Sequence, residues 1–327
     1  MVRQVFAYIV HKEGAADDTA LEMVAAAKRI DPDASITAIV FGTGDDLNAA
    51  CNEIVSSYQE VWKIDNEALS CPDAEATRTL LVRILPGKAI VIIPHDTFGM
   101  DLAPGLSIKL DAAYLPDAVD IEGVDENRLK AVRQEYSGQI STHVVCDISG
   151  GAVITARPGS FKAEETKGTG GQIVDKTAEA LKGEFPETGR RFIEVVEAEV
   201  GDVDITRSDI LVSVGRGIED EDNMEIVHDL ARAMGGDVAC SRPVVDAKWL
   251  EKSRQVGTSG KTVKPKVYMA LGISGSFQHQ GGIKGAPFMI AINKNPNAPI
   301  FQAADVGVVA DILDFVPELT DKINGSR

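Results

Sequence analysis

The sequence contains few cysteines, and their spacing matches no common metal or cluster motif. Cys51, Cys71, Cys146 and Cys240 are scattered, so the chain has no C-x-x-C pair. A disulfide framework, a zinc ribbon and an iron–sulfur cluster all need closely spaced cysteines. The scatter argues against all three and predicts buried, reduced thiols in a cytoplasmic protein.

Long apolar runs and an excess of positive charge are also missing. No run of about eighteen apolar residues occurs, so no membrane-spanning helix is predicted. The opening segment MVRQVFAYIV leads directly into a strand pattern, unlike a signal or transit peptide. The formal net charge of −17 would repel phosphate backbones, which argues against nucleic acid as a partner. These absences together predict a cytoplasmic protein of a bacterium or archaeon, with a mature mitochondrial form as the alternative.

The chain has 327 residues, a length that suits two domains, each with its own core. Up to about residue 95, short apolar segments alternate with amphipathic helical segments. This alternation predicts right-handed βαβ units and a mostly parallel sheet. The strands are predicted at Val5–Val10, Ile36–Phe41, Glu60–Ile64 and Ala89–Ile93, and the helices at Asp17–Ile30, Leu47–Ser57, Ala74–Ile84 and Phe98–Leu110, the last interrupted near Pro104.

Beyond residue 112 the pattern changes to short strands, and a second alternating segment follows. A polar stretch, Gly201–Asp209, predicts the boundary between an N-terminal α/β domain, 1–200, and a C-terminal domain, 201–327. The second domain is predicted to be a parallel, Rossmann-like sheet without the NAD fingerprint. Its predicted elements are the strands Ile210–Val214, Val238–Cys240, Lys266–Leu271, Met289–Ile292 and Val306–Val309, and the helices Asp222–Met234 and one beginning at Asp311. Before the boundary, strands are predicted at Ala131–Gln134, His143–Asp147, Gly151–Ala156 and Phe192–Ala198, and a short helix near Val174–Lys182.

One stretch, Tyr268–Asn293, organises the second domain. It consists of an apolar strand, a turn of glycines and serines, the polar pair Gln278-His279, and a second apolar strand. Glycines let backbone N–H groups approach anionic oxygens, and a helix beginning near Phe277 would add its positive end. The stretch therefore predicts a site for a ligand that carries phosphate, although it is not the G-x-G-x-x-G of NAD-binding proteins.

The same stretch resembles a known family. The motif G-I-S-G-x-x-Q-H-x-x-G-I, followed by A-I-N, is similar to the FAD-binding signature of the electron-transfer flavoprotein α subunit. Phe277 stands where the family more often has Ile, and Thr258-Ser259 stands where Gln-Thr is common. Further segments agree: VGRG at 214–217, CSRPVVDAKW at 240–249, VGTSGKTV at 256–263, NKNPNAPIFQAADVGVVAD at 293–311, and Gly159-Ser160-Phe161 in the first domain.

The resemblance implies FAD as the cofactor and assigns roles to individual residues. Arg216 would contact the diphosphate, and Asp305 would accept hydrogen bonds from ribose hydroxyls. At the flavin, His279 would donate to the pyrimidine ring and could become charged, Arg242 would raise the potential, and Ser259 would bond N5. The implied FAD-binding set is Arg216, Ser241, Arg242, Val256, Gly257, Thr258, Ser259, Gly260, Gly272, Ser274, Gly275, Ser276, Gln278, His279, Asn293 and Asp305.

The resemblance also implies a function and partners. The chain would be an electron carrier with no substrate bond chemistry of its own, unless it is bifurcating. It would form a heterodimer with a β subunit that holds AMP or a second FAD. Electrons would pass singly from an acyl-CoA dehydrogenase of fatty acid oxidation, or from another dehydrogenase. The acceptor would be a quinone oxidoreductase or, in a bifurcating NADH/ferredoxin version, ferredoxin.

Two other hypotheses about the function remain open from the residues alone. A self-sufficient FAD-dependent oxidoreductase would need an acid–base pair, and only His95-Asp96, at the end of a predicted strand, is a candidate. Side chains of this kind at strand ends more often form hydrogen bonds within a loop. A non-catalytic nucleotide-binding module would suit the first domain but would leave residues 210–311 unexplained.

Overall fold

The computed structural model describes residues 3–136, 138, 140–163, 170–194, 203–283 and 288–325. The chain divides into two compact units, Met1–Glu194 and Val195–Arg327, each with its own sheet. The predicted two-domain α/β class is therefore confirmed. The predicted boundary, Gly201–Asp209, lies partly outside the described residues and stays a prediction. Within the described ranges, no helix is long and apolar enough to cross a membrane.

The described part of the first unit contains a sheet of nine strands, which we number in chain order. Seven strands are parallel, and the last two form an antiparallel extension at one edge. Their order across the sheet is β9-β3-β2-β1-β4-β8-β5-β6-β7. The strands are β1 Gln4–Ile9, β2 Ser35–Gly42, β3 Glu60–Asp65, β4 Ile90–Pro94, β5 Ala113–Asp125, β6 Arg128–Glu135, β7 Ile140–Asp147, β8 Ala152–Ala156 and β9 Gln172–Asp175; His11–Lys12 and Ala15–Ala16 form a small separate hairpin.

Helices cover both faces of this sheet, as a parallel sheet requires. Two of them pack on the face that includes Val5 and Ala7, and the next two pack on the face that includes Phe6. The strands therefore read as continuous apolar runs, which is why the sequence located them well. The helices are α1 Thr19–Ile30, α2 Gly44–Ile54, α3 Ala74–Ile84, α4 Thr97–Leu110 and α5 Thr177–Leu181.

Three predictions for the first unit are wrong in part. Helix α4 passes through Pro104 without interruption, because Leu102, Ala103 and Leu106 are fully buried and offset the missing backbone donor. The strand predicted at Phe192–Ala198 is absent over 192–194, and the rest lies outside the described residues. The structure also contains β5 and β9, which the sequence pattern did not indicate. The short helix predicted near Val174–Lys182 is confined to Thr177–Leu181, because Val174 and Asp175 belong to β9.

The second unit contains a five-stranded parallel sheet in the order β11-β10-β12-β13-β14. Helices α6 and α9 cover one face, and the loops around Val256, Val263 and Ile300 cover the other. This arrangement confirms the predicted Rossmann-like domain. The elements are β10 Ile210–Val214, α6 Met224–Met234, β11 Asp237–Cys240, α7 Arg242–Asp246, β12 Val267–Leu271, α8 Phe277–Gln280, β13 Phe288–Ile292, β14 Val306–Val308 and α9 Ile312–Gly325.

The strand order determines where a ligand can bind. From β10 the chain goes first to β11 on one side and then to β12 on the other. Such a reversal leaves a crevice at the carboxyl ends of the strands. The residues that follow β10, β11, β12 and β13 therefore meet at one edge of the sheet, although they are far apart in sequence.

Candidate functional site

A cavity of about 730 Å³ opens at this carboxyl edge of the second sheet. All but three of the sequence-predicted residues line it, so the parallel topology gathers them as expected. The residues that line it from the predicted set are Arg216, Ser241, Arg242, Val256, Gly257, Thr258, Ser259, Gly272, Ser274, Ser276, Gln278, His279 and Asn293.

Gly260, Gly275 and Asp305 do not line the cavity. Asp305 is at the opposite edge of the sheet, because it precedes β14 instead of following it. Its Oδ2 accepts a hydrogen bond from Met289 N at 2.7 Å, and its own N donates to Met289 O at 2.9 Å. Asp305 therefore joins two strands, and the ribose contact expected of it has no support from its position. Gly260 and Gly275 do not line the cavity themselves but are neighbours in the chain of Ser259, Ser274 and Ser276, which do.

The turn after β12 is built to present backbone N–H groups. The N–H groups of Ser274, Gly275 and Ser276 donate to no residue that the structure describes. The carbonyls of the turn are held away: Asn293 Nδ2 donates to Ile273 O at 2.9 Å, and Gln280 Nε2 donates to Gly275 O at 2.7 Å. Adjacent unpaired amides are the usual protein ligand for phosphate oxygens. The turn therefore fits a ligand with anionic oxygens.

The loop that carries Arg216 contacts the loop after β12 at two glycines. Gly217 N donates to Gly272 O at 3.1 Å, and a Cβ atom at Gly217 would lie 2.7 Å from Gly272 Cα. Only glycine permits this approach, so the two loops fix each other. The exposed Arg216 side chain forms no ion pair with a described residue. Its guanidinium is available to an anionic ligand.

The other charges of the cavity wall are largely paired. Arg242 Nε lies 3.4 Å from Asp246 Oδ2, and Lys294 pairs with Glu219. The pairing with Glu219 raises the pKa of the Lys294 ammonium. With Arg216 added, cations outnumber carboxylates on this wall, in a chain whose formal net charge is −17. The cavity is thus a local positive site in an acidic protein, which favours an anionic ligand.

Two further segments of the cavity wall are joined by a hydrogen bond. Thr258 N donates to Gln278 O at 2.8 Å, which joins the loop after residue 255 to α8. The buried Gln255 donates from Nε2 to Ser259 Oγ at 2.9 Å. Because this bond uses a lone pair of the hydroxyl, the Ser259 proton remains free to be donated into the cavity.

His279 is buried at the wall of the cavity, with only 4% of its surface exposed. Nδ1 lies 3.1 Å from Val256 O, and Nε2 lies 2.8 Å from Tyr268 Oη. A carbonyl only accepts, so Nδ1 carries the proton and the Tyr268 hydroxyl donates to Nε2. Both ring nitrogens are thus bonded to protein groups, and the donation to the pyrimidine ring that the resemblance implied has no support from this geometry. Burial lowers the pKa of His279 to about 4, against a smaller opposite effect of the Val256 carbonyl. The imidazole is therefore neutral at neutral pH, and a charge on it requires a new negative charge nearby.

This burial predicts an acid-sensitive contribution to stability. Unfolded histidine titrates near its ordinary value of 6.5 and folded His279 near 4, so the unfolded chain binds more protons between these pH values. The free energy of unfolding should fall by roughly 3 kcal/mol as the pH falls through this window. We expect His279→Gln to lack this part of the pH dependence. Urea unfolding of the FAD-free protein, followed by Trp249 fluorescence in a Trp62→Phe background, measures it; equal pH profiles for both proteins would refute it.

Several cavity residues were missed at the sequence level. Lys294, Asn295 and Pro299 belong to the NKNPNAP segment, whose likeness to the family was noted without assigning it residues. Gln255 directly precedes the predicted Val256 and donates to the predicted Ser259, whereas Glu219 pairs with Lys294. Contacts of this kind have no signature in sequence.

The pair His95-Asp96 belongs to the first unit and forms local hydrogen bonds. Asp96 Oδ1 caps α4 by accepting from Gly99 N at 2.6 Å. His95 Nδ1 lies 2.8 Å from Thr155 Oγ1, and burial lowers the pKa of His95. These contacts agree with a loop role. No metal-binding cluster of His, Cys, Asp or Glu occurs among the described residues.

Comparison with known proteins agrees with this geometry. Residues 5–181 match a family model described as the electron transfer flavoprotein domain, and residues 204–284 match the electron transfer flavoprotein FAD-binding domain. The chain is 34% identical over 315 residues to the electron transfer flavoprotein subunit alpha of Methylophilus methylotrophus, covering 94% of this chain and 95% of that protein. It is 30% identical over 319 residues to protein FixB of Clostridium saccharobutylicum, covering 96% and 94%.

A third relative has a different name. The chain is 27% identical over 331 residues to the LctC subunit of a lactate dehydrogenase (NAD(+),ferredoxin) of Acetobacterium woodii. The match covers 99% of this chain and 78% of that protein. The relatives therefore include a protein whose name contains both NAD(+) and ferredoxin.

Proposed function

The chain belongs to the electron transfer flavoprotein family as an alpha subunit, and on this premise we propose that it carries electrons on an FAD held in the cavity of its second unit. The observation that carries the proposal is the layout of that cavity. The turn with the unpaired amides, Arg216, Ser259 and His279 all belong to the wall of this one cavity. A volume of about 730 Å³ is in the range of cofactor sites.

The residues divide into those that bind the cofactor and those that adjust it. The amides of Ser274–Ser276 and the guanidinium of Arg216 would hold the diphosphate. The Ser259 hydroxyl, which Gln255 orients, would donate to N5 of the ring, and the imidazole of His279 and the guanidinium of Arg242 would lie toward the pyrimidine end. Bound FAD supplies the one-electron chemistry that protein side chains lack.

Arg242 should tune the potential, since a permanent positive charge near the ring favours the reduced, more negative state. We expect Arg242→Ala to lower the flavin potential and shift the redox equilibrium roughly tenfold, a modest effect because the side chain is exposed and screened. Asp246→Asn is the matched variant of opposite sign, because it removes the carboxylate paired with Arg242. Spectroelectrochemical titration measures both; equal midpoints in all three proteins would remove Arg242 from this role.

We propose a β subunit as the partner in a heterodimer, with an acyl-CoA dehydrogenase or another dehydrogenase as electron donor. The similarity to LctC supports a version that also uses NADH and ferredoxin. The two versions differ in cofactor content: one FAD with AMP in the first, and two FAD in the second.

Purification of the chain after co-expression with its β subunit tests the proposal. A yellow heterodimer that accepts electrons from a dehydrogenase, without turning over a substrate alone, is the expected result. A flavin-bearing single chain that turns over a substrate would instead support the self-sufficient FAD-dependent oxidoreductase. A colourless complex would contradict both.

A further inference from the structure

A small group of polar side chains lies inside the apolar core of the second unit, beside the cavity. Tyr268 on β12 and Ser213 on β10 are both fully buried, and His279 is nearly so. Their neighbours on this face of the sheet are apolar, among them Leu211 and Met289. Buried polar groups of this kind are costly unless each is hydrogen-bonded, so their presence needs an explanation.

The contacts between them leave one atom without a partner. Tyr268 Oη lies 2.8 Å from His279 Nε2, while His279 Nδ1 is bound to Val256 O. Ser213 Oγ forms no hydrogen bond with any described residue. The Ser213 hydroxyl nevertheless lies near enough to the Tyr268 phenol to lower the pKa of Tyr268 against the larger, raising effect of burial. The phenol therefore keeps its proton, and the Ser213 hydroxyl lies close to it although no hydrogen bond joins the two in this structure.

Small side-chain adjustments would let this arrangement accommodate two protonation states of His279. With a neutral imidazole, the Tyr268 hydroxyl donates to Nε2. With a charged imidazole, Nε2–H donates to Tyr268 Oη, and the phenol proton turns toward Ser213 Oγ. A hydroxyl is needed for this because it both donates and accepts. Val256 O accepts from Nδ1 in either state.

We propose that Tyr268 is a positioning residue of the flavin site, which allows His279 to hold a second proton at Nε2 when negative charge is added in the cavity, with Ser213 accepting the phenol proton. The proposal rests on the proposed function. The proton comes from solvent through the open side of the cavity, and Tyr268 neither gains nor loses a proton. One positive charge is thus gained at Nε2 beside the added negative charge.

The surrounding charges favour such a response. The lowered pKa of His279 comes from burial, with no charged side chain among its causes. Cys240 on β11 acts on Tyr268, and Arg216 and Arg242 line the cavity. A new negative charge within about 4–6 Å raises the pKa of a histidine by about one to three units. Starting from about 4, protonation on reduction should therefore appear between about pH 5 and pH 7.

The first experiment uses wild-type heterodimer with ¹⁵N-labelled histidine. In the oxidised protein, Nε2 of His279 should have the shift of an unprotonated nitrogen; after reduction with dithionite, both nitrogens should take on the shifts of N–H groups as the pH is lowered from about 7 to about 5. His279→Gln assigns the signals among the five histidines of the chain. A singly protonated imidazole in both states would overturn the proposal, and this measurement needs no Tyr268 variant.

The second experiment is Tyr268→Phe, with the flavin potential measured as a function of pH. We expect FAD content to be retained and the pH dependence between pH 5 and 7 to be lost, because a charge-assisted bond to Nε2 is removed. Ser213→Ala should also weaken the pH dependence of the flavin potential. Tyr58 is a buried tyrosine of the first unit whose hydroxyl donates to Ala20 O, and Tyr58→Phe should leave this pH dependence unchanged. An unchanged pH profile in Tyr268→Phe would overturn the inference alone; wild type without flavin would overturn the proposed function as well.

Discussion

Replacing Gly275 with alanine is expected to remove most of the FAD, lowering flavin content at least tenfold. Gly275 has φ +84°, a region that residues with a Cβ atom rarely adopt, at a cost of roughly 1–2 kcal/mol. An added Cβ would also lie 2.5 Å from Ile300 Cα, so the backbone of the turn must shift. That shift moves the amides of Ser274 and Ser276, which the proposal assigns to the diphosphate. The ratio of flavin to protein absorbance after purification measures the loss.

Gly44→Ala is a matched control that distinguishes the steric clash of an added Cβ atom from the backbone strain of a positive φ. Gly44 in the first unit also has a positive φ, +62°, but a Cβ there would meet no atom within 4 Å. Gly44→Ala should cost about 1 kcal/mol of stability and leave flavin content unchanged. Circular dichroism establishes that both variants are folded. Full flavin content in folded Gly275→Ala would remove this turn from the binding site.

Replacing Arg216 with alanine is the second change with a large expected effect. A hydrogen bond to a charged group contributes about 1.5–3 kcal/mol, so the Kd for FAD should rise roughly tenfold to a hundredfold. No ion pair with a described residue competes for the guanidinium, and the crossing of Gly217 and Gly272 keeps the loop in place. Titration of the FAD-free heterodimer with FAD, followed by flavin fluorescence, measures the Kd.

Arg232→Ala is the control for Arg216. Arg232 lies on the surface of α6 in the same unit and pairs with Asp229. Its removal changes the net charge by the same amount but leaves the cavity wall intact. A similar loss of affinity in both variants would mean that Arg216 acts only through long-range charge. In that case a steep dependence of both losses on salt is also expected.

Much of the site could be predicted from the sequence because a parallel sheet places the residues that follow its strands at the same edge. Strands predicted at Ile210–Val214 and Lys266–Leu271 set the residues after them at one edge of a sheet, and the structure confirms both strands. The same rule would have corrected the expectation for Asp305. It precedes the predicted strand Val306–Val309, and so it belongs to the opposite edge.

Other features depend on contacts that no local pattern contains. The state of His279 is set by Tyr268 and Val256, which lie 11 and 23 positions away in the chain. The sequence suggested a histidine able to take charge, whereas burial makes the neutral form the resting one. Strand β5 was missed because it continues into the antiparallel edge of the sheet, where only every third residue or so is buried and polar side chains alternate irregularly.

The central claim is that one cavity of the second unit holds the whole cofactor. The position of FAD in a crystal structure of the heterodimer, co-expressed with its β subunit, tests it most directly. We predict the diphosphate against the amides of Ser274–Ser276 and Arg216, and the isoalloxazine ring between Ser259 and His279. A flavin bound elsewhere, or one whose ring lies away from both of these side chains, would contradict the account.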